Sequence, residues 1–409
     1  MTIHLNQGQL KVLFEFQKSP LQLQIKEPER KITPQLFRQK IEEQLLRLKP
    51  DLSNVAIVVG DKTRLCGYPE YLPVLLSALK KMGADNQVTI FIAYGTHPNQ
   101  SEEESLKAYG ETFHRETFIH HDCTDRLQFR LLGKTSRGTP VYLRNDIAET
   151  SFLITFGAIS HHYFAGYGGG RKLIFPGLGF KPAIYQNHSL FLDPKEGRLS
   201  QGCQPGKIQE NPLAEDLAEI ESYKQADLCI HGVLDSHGEV CDLLVGSGQS
   251  SFEEACKTHG ENCGIEHNKQ YDLVVASCGG FPKDVNFIQS HKAIHNAAKF
   301  VKDGGELIVL AECRDGIGSK TFLPWFEFDD YEAAFDRLSR QYEGNGGTAL
   351  AMMEKTRRIR ISLITELADT EAELIGINKI QLSQAQEKVK GHVGTVAVIP
   401  NASLLVKTA

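Results

Sequence analysis

The sequence predicts an α/β protein with two α/β domains, each built on a mainly parallel sheet. Short apolar runs rich in β-branched residues, such as VAIVVGD at residues 55–61, alternate with helical patterns in the first part of the chain. The same alternation starts again at YDLVVASCGG, residues 271–280, after a charged, polar stretch at residues 261–269. We therefore predict an N-terminal domain at residues 1–266 and a C-terminal domain at residues 270–409. The last residues are expected to pack back on the first domain.

The N-terminal domain is predicted to begin with a strand region and a linking helix before its alternation starts. Pro69 suits the first turn of a helix and Gly83 suits a helix C-terminus, while Ser101 and Glu104 fit a capping box. The predicted elements are a helix at residues 33–49, a strand at 55–61, a helix at 69–81, a strand at 87–95, a helix at 101–109 and a strand that ends at Gly157.

The C-terminal domain shows a second series of strands and helices. The run GNGG at residues 344–347 lies between two predicted helices and is interpreted as a loop. The predicted elements are a strand at 271–280, a helix that carries Ala293, Ala297, Ala298 and Val301, a strand in ELIVLAEC, a helix near 331–340 and a helix near 348–360.

Composition excludes several classes of protein. The chain has 409 residues, of which 41 % are hydrophobic and 23 % charged, and a net charge of −6 gives no field that would attract nucleic acid or an anionic membrane. The start of the chain has no basic region followed by an apolar run, and no stretch approaches the roughly 18 apolar residues of a membrane span. The nine cysteines form no CxxC pair, so we expect reduced, mostly buried thiols in a cytoplasmic protein.

Polar motifs follow the apolar strands at their C-terminal ends. DKTR, AYGTH, GAISHH and SCGGFPKD each stand directly after such a run. In open α/β sheets the carboxyl ends of the strands form the edge at which ligands bind. The sequence therefore predicts a ligand site at this edge, with a local cationic pocket if the ligand is an anion.

The most unusual local feature is the glycine-rich run HYFAGYGGGRKLIFPG at residues 162–177. Glycines permit backbone angles that other residues avoid, and they let a ligand approach the main chain closely. We interpret the run as a loop that wraps an anionic cofactor and offers the amine of Lys172 for covalent chemistry. A flexible surface turn is the alternative. The glycines that would contact such a cofactor are Gly168, Gly169 and Gly170.

Three histidines stand at positions that suit chemistry. His97 and His162 follow strand ends, where an imidazole that titrates near neutrality can donate or accept a proton. A structural histidine is the alternative at each position, and the neighbouring His161 blurs the choice at the second. His188 lies on a predicted helix, where it is either a metal ligand or a core residue.

Two cations are candidates for binding a carboxylate. Arg64 follows the first strong strand, where its guanidinium could hold a carboxylate through two parallel hydrogen bonds. Lys292 lies three residues beyond Gln289 on a predicted helix, so the two share a helix face. A solvated lysine is the alternative for Lys292.

Taken together, these segments resemble the nickel-dependent lactate racemase family. The resemblance rests on motifs that occur in the family's order and span most of residues 55–300. They are DKTR at 61–64, GTH at 95–97, HYFAGYGGGRK at 162–172, His188, and GGFPKDVNFIQSHK at 279–292. The family fold implies two α/β domains with the active site in the interdomain cleft, at the C-terminal ends of the strands.

The resemblance implies a nickel-pincer nucleotide, the nickel complex of pyridinium-3-thioamide-5-thiocarboxylic acid mononucleotide, joined to Lys172. His188 would be the protein ligand to nickel, which suits a square plane completed by soft sulfur donors. His97 and His162 would be the acid/base pair, and Asp61 would lie near the cofactor and orient Arg64. The implied substrate-binding residues are Arg64, Lys292 and Gln289.

The implied reaction is inversion of the C2 centre of a 2-hydroxy acid by reversible hydride transfer. Removing the α-hydrogen as a proton would place a carbanion next to the carboxylate and so make the substrate a dianion. A hydride route avoids this second negative charge. The implied partners are a small 2-hydroxy acid and cofactor-maturation proteins, and either a monomer or a homodimer fits. The family places an aromatic residue near Met352 and Met353, whereas Trp325 comes too early. The identity of the acid therefore stays open.

Two other classes of function are compatible with the same residues. One is a zinc-dependent hydrolase with His97, His162 and His188 as ligands, although the chain has no HExxH motif. The other is a non-catalytic protein that binds an anionic metabolite through Arg64 and Lys292.

Overall fold

The apolar runs of the sequence form two mainly parallel sheets in separate units, as the computed structural model shows for residues 1–84 and 88–408. We call Glu27–Leu190 together with Gly202–Asn262 the larger unit. The smaller unit consists of Met1–Lys26, Phe191–Gln201 and Cys263–Ala409. Each unit combines helices with a mainly parallel sheet, so the predicted fold class is confirmed.

The strands have the following bounds along the chain. They are β1 Thr2–Gln7, β2 Leu10–Glu15, β3 Leu21–Gln22, β4 Val55–Gly60, β5 Val88–Ala93, β6 Thr117–His120, β7 Phe129–Lys134, β8 Pro140–Arg144, β9 Phe152–Ala158, β10 Ser160–His162, β11 Gly166–Gly168, β12 Leu192–Asp193, β13 Arg198–Leu199, β14 Leu228–Leu234, β15 Val240–Gly246, β16 Gly264–Glu266, β17 Tyr271–Ser277, β18 Val301–Leu310, β19 Arg360–Ile364, β20 Asn378–Lys379, β21 Val396–Ile399 and β22 Val406–Thr408.

The α-helices occupy most of the connections between these strands. They are α1 Pro34–Leu48, α2 Tyr68–Lys81, α3 Glu102–Tyr109, α4 Thr112–Arg115, α5 Asn145–Ala148, α6 Lys181–Ser189, α7 Pro212–Glu221, α8 Gly248–Cys263, α9 Phe287–Ala298, α10 Tyr331–Arg340, α11 Gly346–Arg358, α12 Asp369–Ile375 and α13 Leu382–Gly391. Short 3-10 helices lie at Arg126–Gln128, Gly170–Leu173 and Leu323–Glu327.

The sheet of the larger unit has the strand order β15-β14-β9-β4-β5-β6. Its neighbouring strands pair in parallel, except β14 and β15, which form an antiparallel hairpin. Every residue of β4 is buried, which explains why its sequence is a continuous apolar run without polar alternation. Because β9, β4 and β5 are parallel neighbours, the residues that follow them lie at the same edge of the sheet.

The sheet of the smaller unit has the order β20-β19-β18-β17-β21-β3, and its pairs are parallel. Strand β3 brings the first residues of the chain to the edge of this sheet, and the β1–β2 hairpin adds Leu5 and Phe14 to its core. Residues 1–26 therefore group with the C-terminal segment, which differs from a division of the chain at residue 266. The last described strand, β22, pairs with β16, next to that expected boundary.

Helix ends follow the predicted capping signals closely in the larger unit. The Thr33 side chain accepts a hydrogen bond from the Leu36 N–H at the start of α1, and Ser101 and Glu104 form the predicted capping box of α3. Residue 87, the first of one predicted strand, lies outside the described residues, and β5 is described from Val88.

Two predictions in the smaller unit were wrong at their boundaries. Val301 was placed in a helix, but that helix ends at Ala298 and Val301 begins β18. The last two glycines of GNGG were assigned to a loop, but Gly346 begins α11. A methyl group built on Gly346 would lie 2.5 Å from the Leu338 side chain, so close packing explains the glycine in the helix.

Two further findings concern the class of protein. Within the described part of the chain, no helix is both long and apolar enough to cross a membrane. The cysteines are free thiols, and all except the partly exposed Cys123 are buried, as we expected for thiols used as small core residues.

Candidate functional site

The end of strand β4 is held rigidly by two buried tyrosines. The Tyr68 hydroxyl accepts a hydrogen bond from the Gly60 N–H at 2.8 Å and donates one to the Phe156 carbonyl at 3.0 Å. The Tyr109 hydroxyl donates to the Gly60 carbonyl at 2.8 Å. The residue that follows, Asp61, therefore starts from a fixed backbone position at the edge of the sheet.

Asp61 is a buried carboxylate with well-defined partners. Only 3 % of its surface is exposed. One oxygen accepts from the N–H and the hydroxyl of Thr63 at 2.8 and 2.6 Å, and the other lies 2.7 Å from Nδ1 of His97. Burial alone would raise the pKa of Asp61, but the hydrogen bond and charge of His97, with Arg64 and Thr63, lower it to about 2. The side chain is therefore ionised at neutral pH.

The contact with Asp61 fixes the role of each nitrogen of His97. An ionised carboxylate can only accept hydrogen bonds, so Nδ1 of His97 must carry a proton. In the neutral imidazole the lone pair is then on Nε2. The His97 side chain is 49 % exposed, so Nε2 is accessible to take a proton from a small molecule.

Thr63 links Asp61 to Arg64. The Thr63 hydroxyl donates to Asp61 and accepts from Nη1 of Arg64 at 2.8 Å, and Nη1 also donates to the Thr63 carbonyl at 3.1 Å. Thr63 thus contacts both side chains, and the orientation of Arg64 by Asp61 stays a prediction. The guanidinium is exposed, and its charge stabilises the Asp61 carboxylate.

The two neighbouring histidines of the GAISHH motif contact different groups. They lie on the hairpin of β10 and β11, where His162 pairs with Gly166. The His161 ring packs 5.0 Å from Tyr167 and 4.7 Å from His259, measured between centroids. The His162 ring instead packs 4.5 Å from the ring of Phe164. This alternation along the strand separates the two side chains.

Phe164 is the residue around which three predicted site residues gather. Its ring centroid lies 4.5 Å from His162, 5.1 Å from His188 and 5.8 Å from Nζ of Lys172. Phe164 itself is 4 % exposed. Our sequence analysis assigned it no role, although it stands inside the HYFAGYGGGRK motif.

Lys172 and His188 have strongly lowered pKa values. Burial, followed by the positive charges of Arg64 and Arg171, lowers the pKa of Lys172 to about 7. Burial and the charge of Lys172 lower the pKa of His188 to about 3. At neutral pH the imidazole is therefore uncharged, and a large fraction of the amine is uncharged and nucleophilic.

The glycines before Lys172 are needed by the packing of the protein itself. Gly169 has φ +80°, and a methyl group built on it would lie 2.1 Å from the Ala158 carbonyl oxygen. Gly170 has φ +51°, and its methyl group would lie 2.5 Å from the ring of Phe252. At Gly168 the methyl group would meet the Ser160 hydroxyl at 3.1 Å. Close internal packing thus accounts for Gly169 and Gly170, and contact of all three with a cofactor stays a prediction.

Gln289 and Lys292 lie in the smaller unit, on α9. Nζ of Lys292 donates a hydrogen bond to Oε1 of Gln289 at 2.7 Å, as expected for side chains three residues apart on a helix. The N-cap residue Asn286 accepts a hydrogen bond from the Gln289 N–H and so fixes the start of this helix. Their roles in substrate binding stay predictions.

The region in which the sequence lacks the expected aromatic residue is the helix α11. Met352 is fully buried there, so its side chain belongs to the core of the smaller unit. Aromatic side chains pack instead at the start of this helix. A methyl group built on Gly347 would lie 2.5 Å from the Tyr342 hydroxyl and 3.0 Å from the Phe191 ring.

A three-ligand metal centre is not formed by the candidate histidines. Among residues 1–84 and 88–408, no group of three or more His, Cys, Asp and Glu side chains is arranged to hold a metal ion. A zinc hydrolase would need His97, His162 and His188 gathered around one position. A cofactor that brings its own metal donors would need only one of them.

Comparison with known protein families gives two matches. The model of the lactate racemase N-terminal domain matches residues 3–199, and the model of the lactate racemase C-terminal domain matches residues 266–348. The two matches occur in the order of the domains in the sequence.

Two curated relatives bear the name lactate racemase. The chain is 31 % identical over 278 residues to the protein from Thermoanaerobacterium thermosaccharolyticum, which covers 67 % of this chain and 63 % of the relative. It is 28 % identical over 271 residues to the protein from Lactiplantibacillus plantarum, and this match covers 66 % of this chain and 62 % of that relative. The match thus spans less than two thirds of the length of either relative.

Solved structures show the same fold. The lactate racemase apoprotein from Thermoanaerobacterium thermosaccharolyticum superimposes with a TM-score of 0.89 at 24 % identity, with both chains covered completely. A protein from Thermotoga maritima gives a TM-score of 0.70 at 14 % identity, over 93 % of this chain and all of that one.

Proposed function

Since this chain belongs to the lactate racemase family, we propose that it is an isomerase that inverts the C2 centre of a 2-hydroxy acid, either lactate or a related acid. The proposed cofactor is a nickel-pincer nucleotide joined to Lys172, with His188 as the protein ligand to nickel. The observation that carries the proposal is the gathering of His162, Lys172 and His188 around Phe164.

The protonation states of Lys172 and His188 suit this cofactor. A metal ligand must be a neutral imidazole, and the pKa of His188, lowered to about 3, keeps it neutral. Attachment through a thioamide requires an uncharged amine, and the pKa of Lys172, lowered to about 7, supplies one near neutral pH. The pincer brings its own sulfur and carbon donors, so one histidine suffices. The residues present therefore fit the group.

The chemistry divides between the cofactor and the chain. When bound, the cofactor would supply a reversible acceptor for the hydride of C2. The chain must bind the acid, hold it while it reorients and move the hydroxyl proton. These are the tasks we assign to Arg64, His97 and His162.

The two histidines are proposed to handle the hydroxyl proton for opposite enantiomers. His97 presents the lone pair of Nε2, because its Nδ1 proton is directed at Asp61. Nδ1 of His162 accepts a hydrogen bond from the Ala165 N–H at 3.3 Å, so its neutral ring carries the proton on Nε2. One histidine is thus set to accept a proton and the other to donate one. Inversion in the reverse direction would exchange these roles.

Arg64 is proposed to hold the substrate carboxylate. Its guanidinium is exposed at the sheet edge and is oriented by Thr63, which leaves further N–H groups for a carboxylate. Holding a reactant in a productive geometry can contribute roughly 7–11 kcal/mol to catalysis. Lys292 and Gln289 are proposed to assist, and cofactor-maturation proteins are the proposed macromolecular partners.

An inversion assay tests the proposal. Protein produced with the cofactor-maturation system would be incubated with each enantiomer of lactate and of larger 2-hydroxy acids, and the products separated on a chiral column. We expect at least one acid to reach the racemic mixture from both sides. The matched control is Lys172→Arg, which keeps a long basic side chain but cannot carry the thioamide and should be inactive. Binding of such acids without inversion, by a protein that carries the cofactor, would instead support the non-catalytic binder.

A further inference from the structure

Helix α7, which no motif of the sequence identified, contacts all three chain segments that carry His162, Lys172 and His188. Each contact is a buried hydrogen bond, and each involves a residue next to, or two positions from, one of the three site residues. The contacts come from Asn211, Ala214 and Asp216, which occupy the N-cap and the first turns of the helix.

Asn211 ties the segment of His162 and Phe164 to the helix. It is completely buried and caps α7, since its Oδ1 accepts a hydrogen bond from the Ala214 N–H at 3.1 Å. Its Nδ2 donates to the Phe164 carbonyl and to the Lys207 carbonyl, both at 2.9 Å. The same side chain therefore caps the helix and fixes the backbone of Phe164.

Arg171 ties the glycine loop to the same turn. It is 6 % exposed, and its Nη2 donates to the Ala214 carbonyl at 3.0 Å. Its guanidinium also lies over the ring of Phe252, 4.9 Å from the centroid. Because Arg171 directly precedes Lys172, these contacts limit how far the lysine can move.

Asp216 ties the segment of His188 to the helix. It is completely buried and accepts hydrogen bonds from the hydroxyls of Thr135 at 2.6 Å and Thr139 at 2.7 Å. It also accepts a hydrogen bond from Nδ2 of Asn187 at 2.8 Å. Asn187 directly precedes His188, so a charge-assisted hydrogen bond fixes the backbone next to the imidazole.

We propose that α7 is a brace in which Asn211 is a positioning residue for His162 and Asp216 is one for His188, while the Ala214 carbonyl holds Arg171 beside Lys172. A helix keeps its own residues in fixed relative positions, so three segments bonded to one helix are fixed relative to one another. Groups behind metal ligands and reacting side chains orient them, and their loss typically costs about 10- to 100-fold in metal affinity or activity. The nickel part of the inference rests on the proposed function.

The sharpest test compares two ways of removing one hydrogen bond from Asp216. Asn187→Leu removes the bond on the side of His188, whereas Thr135→Val removes one on the side of the β7–β8 hairpin. Both variants would be produced with the maturation system and dialysed against a chelator. We expect both to lower the melting temperature, but only Asn187→Leu to lose nickel about 10- to 100-fold faster and to change the nickel-dependent absorption spectrum. Equal nickel retention and equal spectra in the two variants would overturn the brace.

A second variant keeps the test valid if Asn187→Leu does not fold. Asn211→Asp keeps an oxygen to cap α7 but removes the donor to the Phe164 carbonyl. We expect Asn211→Asp to change the absorption spectrum. Asn211→Ser also lacks the Nδ2 donor and should change the spectrum in the same way. A wild-type spectrum in both variants would contradict the role of Asn211.

A measurement on the unloaded chain separates this inference from the proposed function. Diethyl pyrocarbonate labels accessible imidazoles, and peptide masses would report the rate at His188. If His188 is positioned by Asn187 and Asp216, Asn187→Leu should change this rate and Thr135→Val should leave it unchanged. Unchanged labelling in Asn187→Leu would refute the brace even if the wild type carries nickel. Changed labelling would support it even if the wild type carries none.

Discussion

At the scale of single residues, the carboxylate of Asp61 determines which nitrogen of His97 can accept a proton. The 2.7 Å contact between them joins residues that are 36 positions apart. The sequence predicts that both follow strands of one parallel sheet and therefore meet at one edge. It does not predict the contact itself, since the distance depends on two loop conformations.

Asp61→Asn should damage catalysis without removing the hydrogen-bonding partner of His97. An amide does not hold the proton on Nδ1 as a carboxylate does, so Nε2 of His97 would less often carry the lone pair. We expect the rate of inversion to fall by about 10²- to 10⁴-fold, measured as initial rates from each enantiomer. Glu43→Gln, at an exposed carboxylate of helix α1 in the same unit, is the matched control. Equal rates in Asp61→Asn and the wild type would contradict the role of Asp61.

The site also contains residues to which the sequence analysis assigned no role. Thr63, Phe164, Asn211 and Asp216 act through contacts with other side chains. Such residues have no distinctive spacing in the sequence. Phe164 and Thr63 could have been suspected because they stand inside recognised motifs, whereas Asp216 is simply a polar residue of an amphipathic helix. Its burial is visible only once Thr135, Thr139 and Asn187 converge on it.

At the scale of elements, local signals predicted helix starts, and packing determined the rest. The capping box of α3 is encoded within four residues and was predicted correctly. The start of α11 was missed. A glycine is needed at position 346 because a larger side chain would collide with Leu338, and not because the backbone there has a positive φ angle. A glycine normally indicates a loop, so sequence reasoning could not anticipate this.

Gly169→Ala should destabilise the glycine loop more than its backbone angle alone explains. Both Gly169, φ +80°, and Gly238, φ +86°, have positive φ angles, but only at Gly169 would a methyl group collide with a carbonyl oxygen. Positive φ at a non-glycine residue costs about 1–3 kcal/mol. We expect Gly238→Ala to lower the free energy of unfolding in urea by about that amount and Gly169→Ala by more. Equal losses would show that the Ala158 carbonyl moves away at little cost.

Helix α11 also contains a buried amine whose protonation opposes folding. Lys355 is 9 % exposed and donates to the Ala351 carbonyl of its own helix. Burial lowers its pKa to about 7 from an ordinary value of 10.5. Between these two values the unfolded chain binds a proton that the folded chain lacks, so this group makes stability rise as the pH increases from about 7 to about 10.5.

Lys355→Met should therefore stabilise the protein near pH 7. The variant removes the buried amine and keeps a flexible apolar side chain of similar length. We expect the free energy of unfolding at pH 7 to increase by roughly a few kcal/mol, as the size of the pKa shift implies. The increase of this free energy between pH 7 and alkaline pH should become smaller than in the wild type. Arg357→Met, at an exposed position of the same helix, is the control. An unchanged pH profile in Lys355→Met would show that the amine is not the responsible group.

At the scale of the whole molecule, the alternation of apolar strands and helices predicted the class of fold, and pairing between distant segments determined the units. The first 26 residues belong to the smaller unit because β3 pairs with β21, far away in the sequence. Nothing in the local pattern of residues 1–26 reveals this partner. The motifs that follow β4, β5 and β9 were easier to place, since parallel neighbours bring their carboxyl ends together.

The measurement that tests the central claim most directly is the mass of the peptide that contains Lys172, together with the nickel content of the chain. The protein would be purified from a host that makes the pincer cofactor. The account predicts a mass increment on Lys172, about one nickel per chain, and loss of both in Lys172→Arg. An unmodified Lys172 and a chain without nickel, despite active maturation proteins, would contradict the proposed racemase.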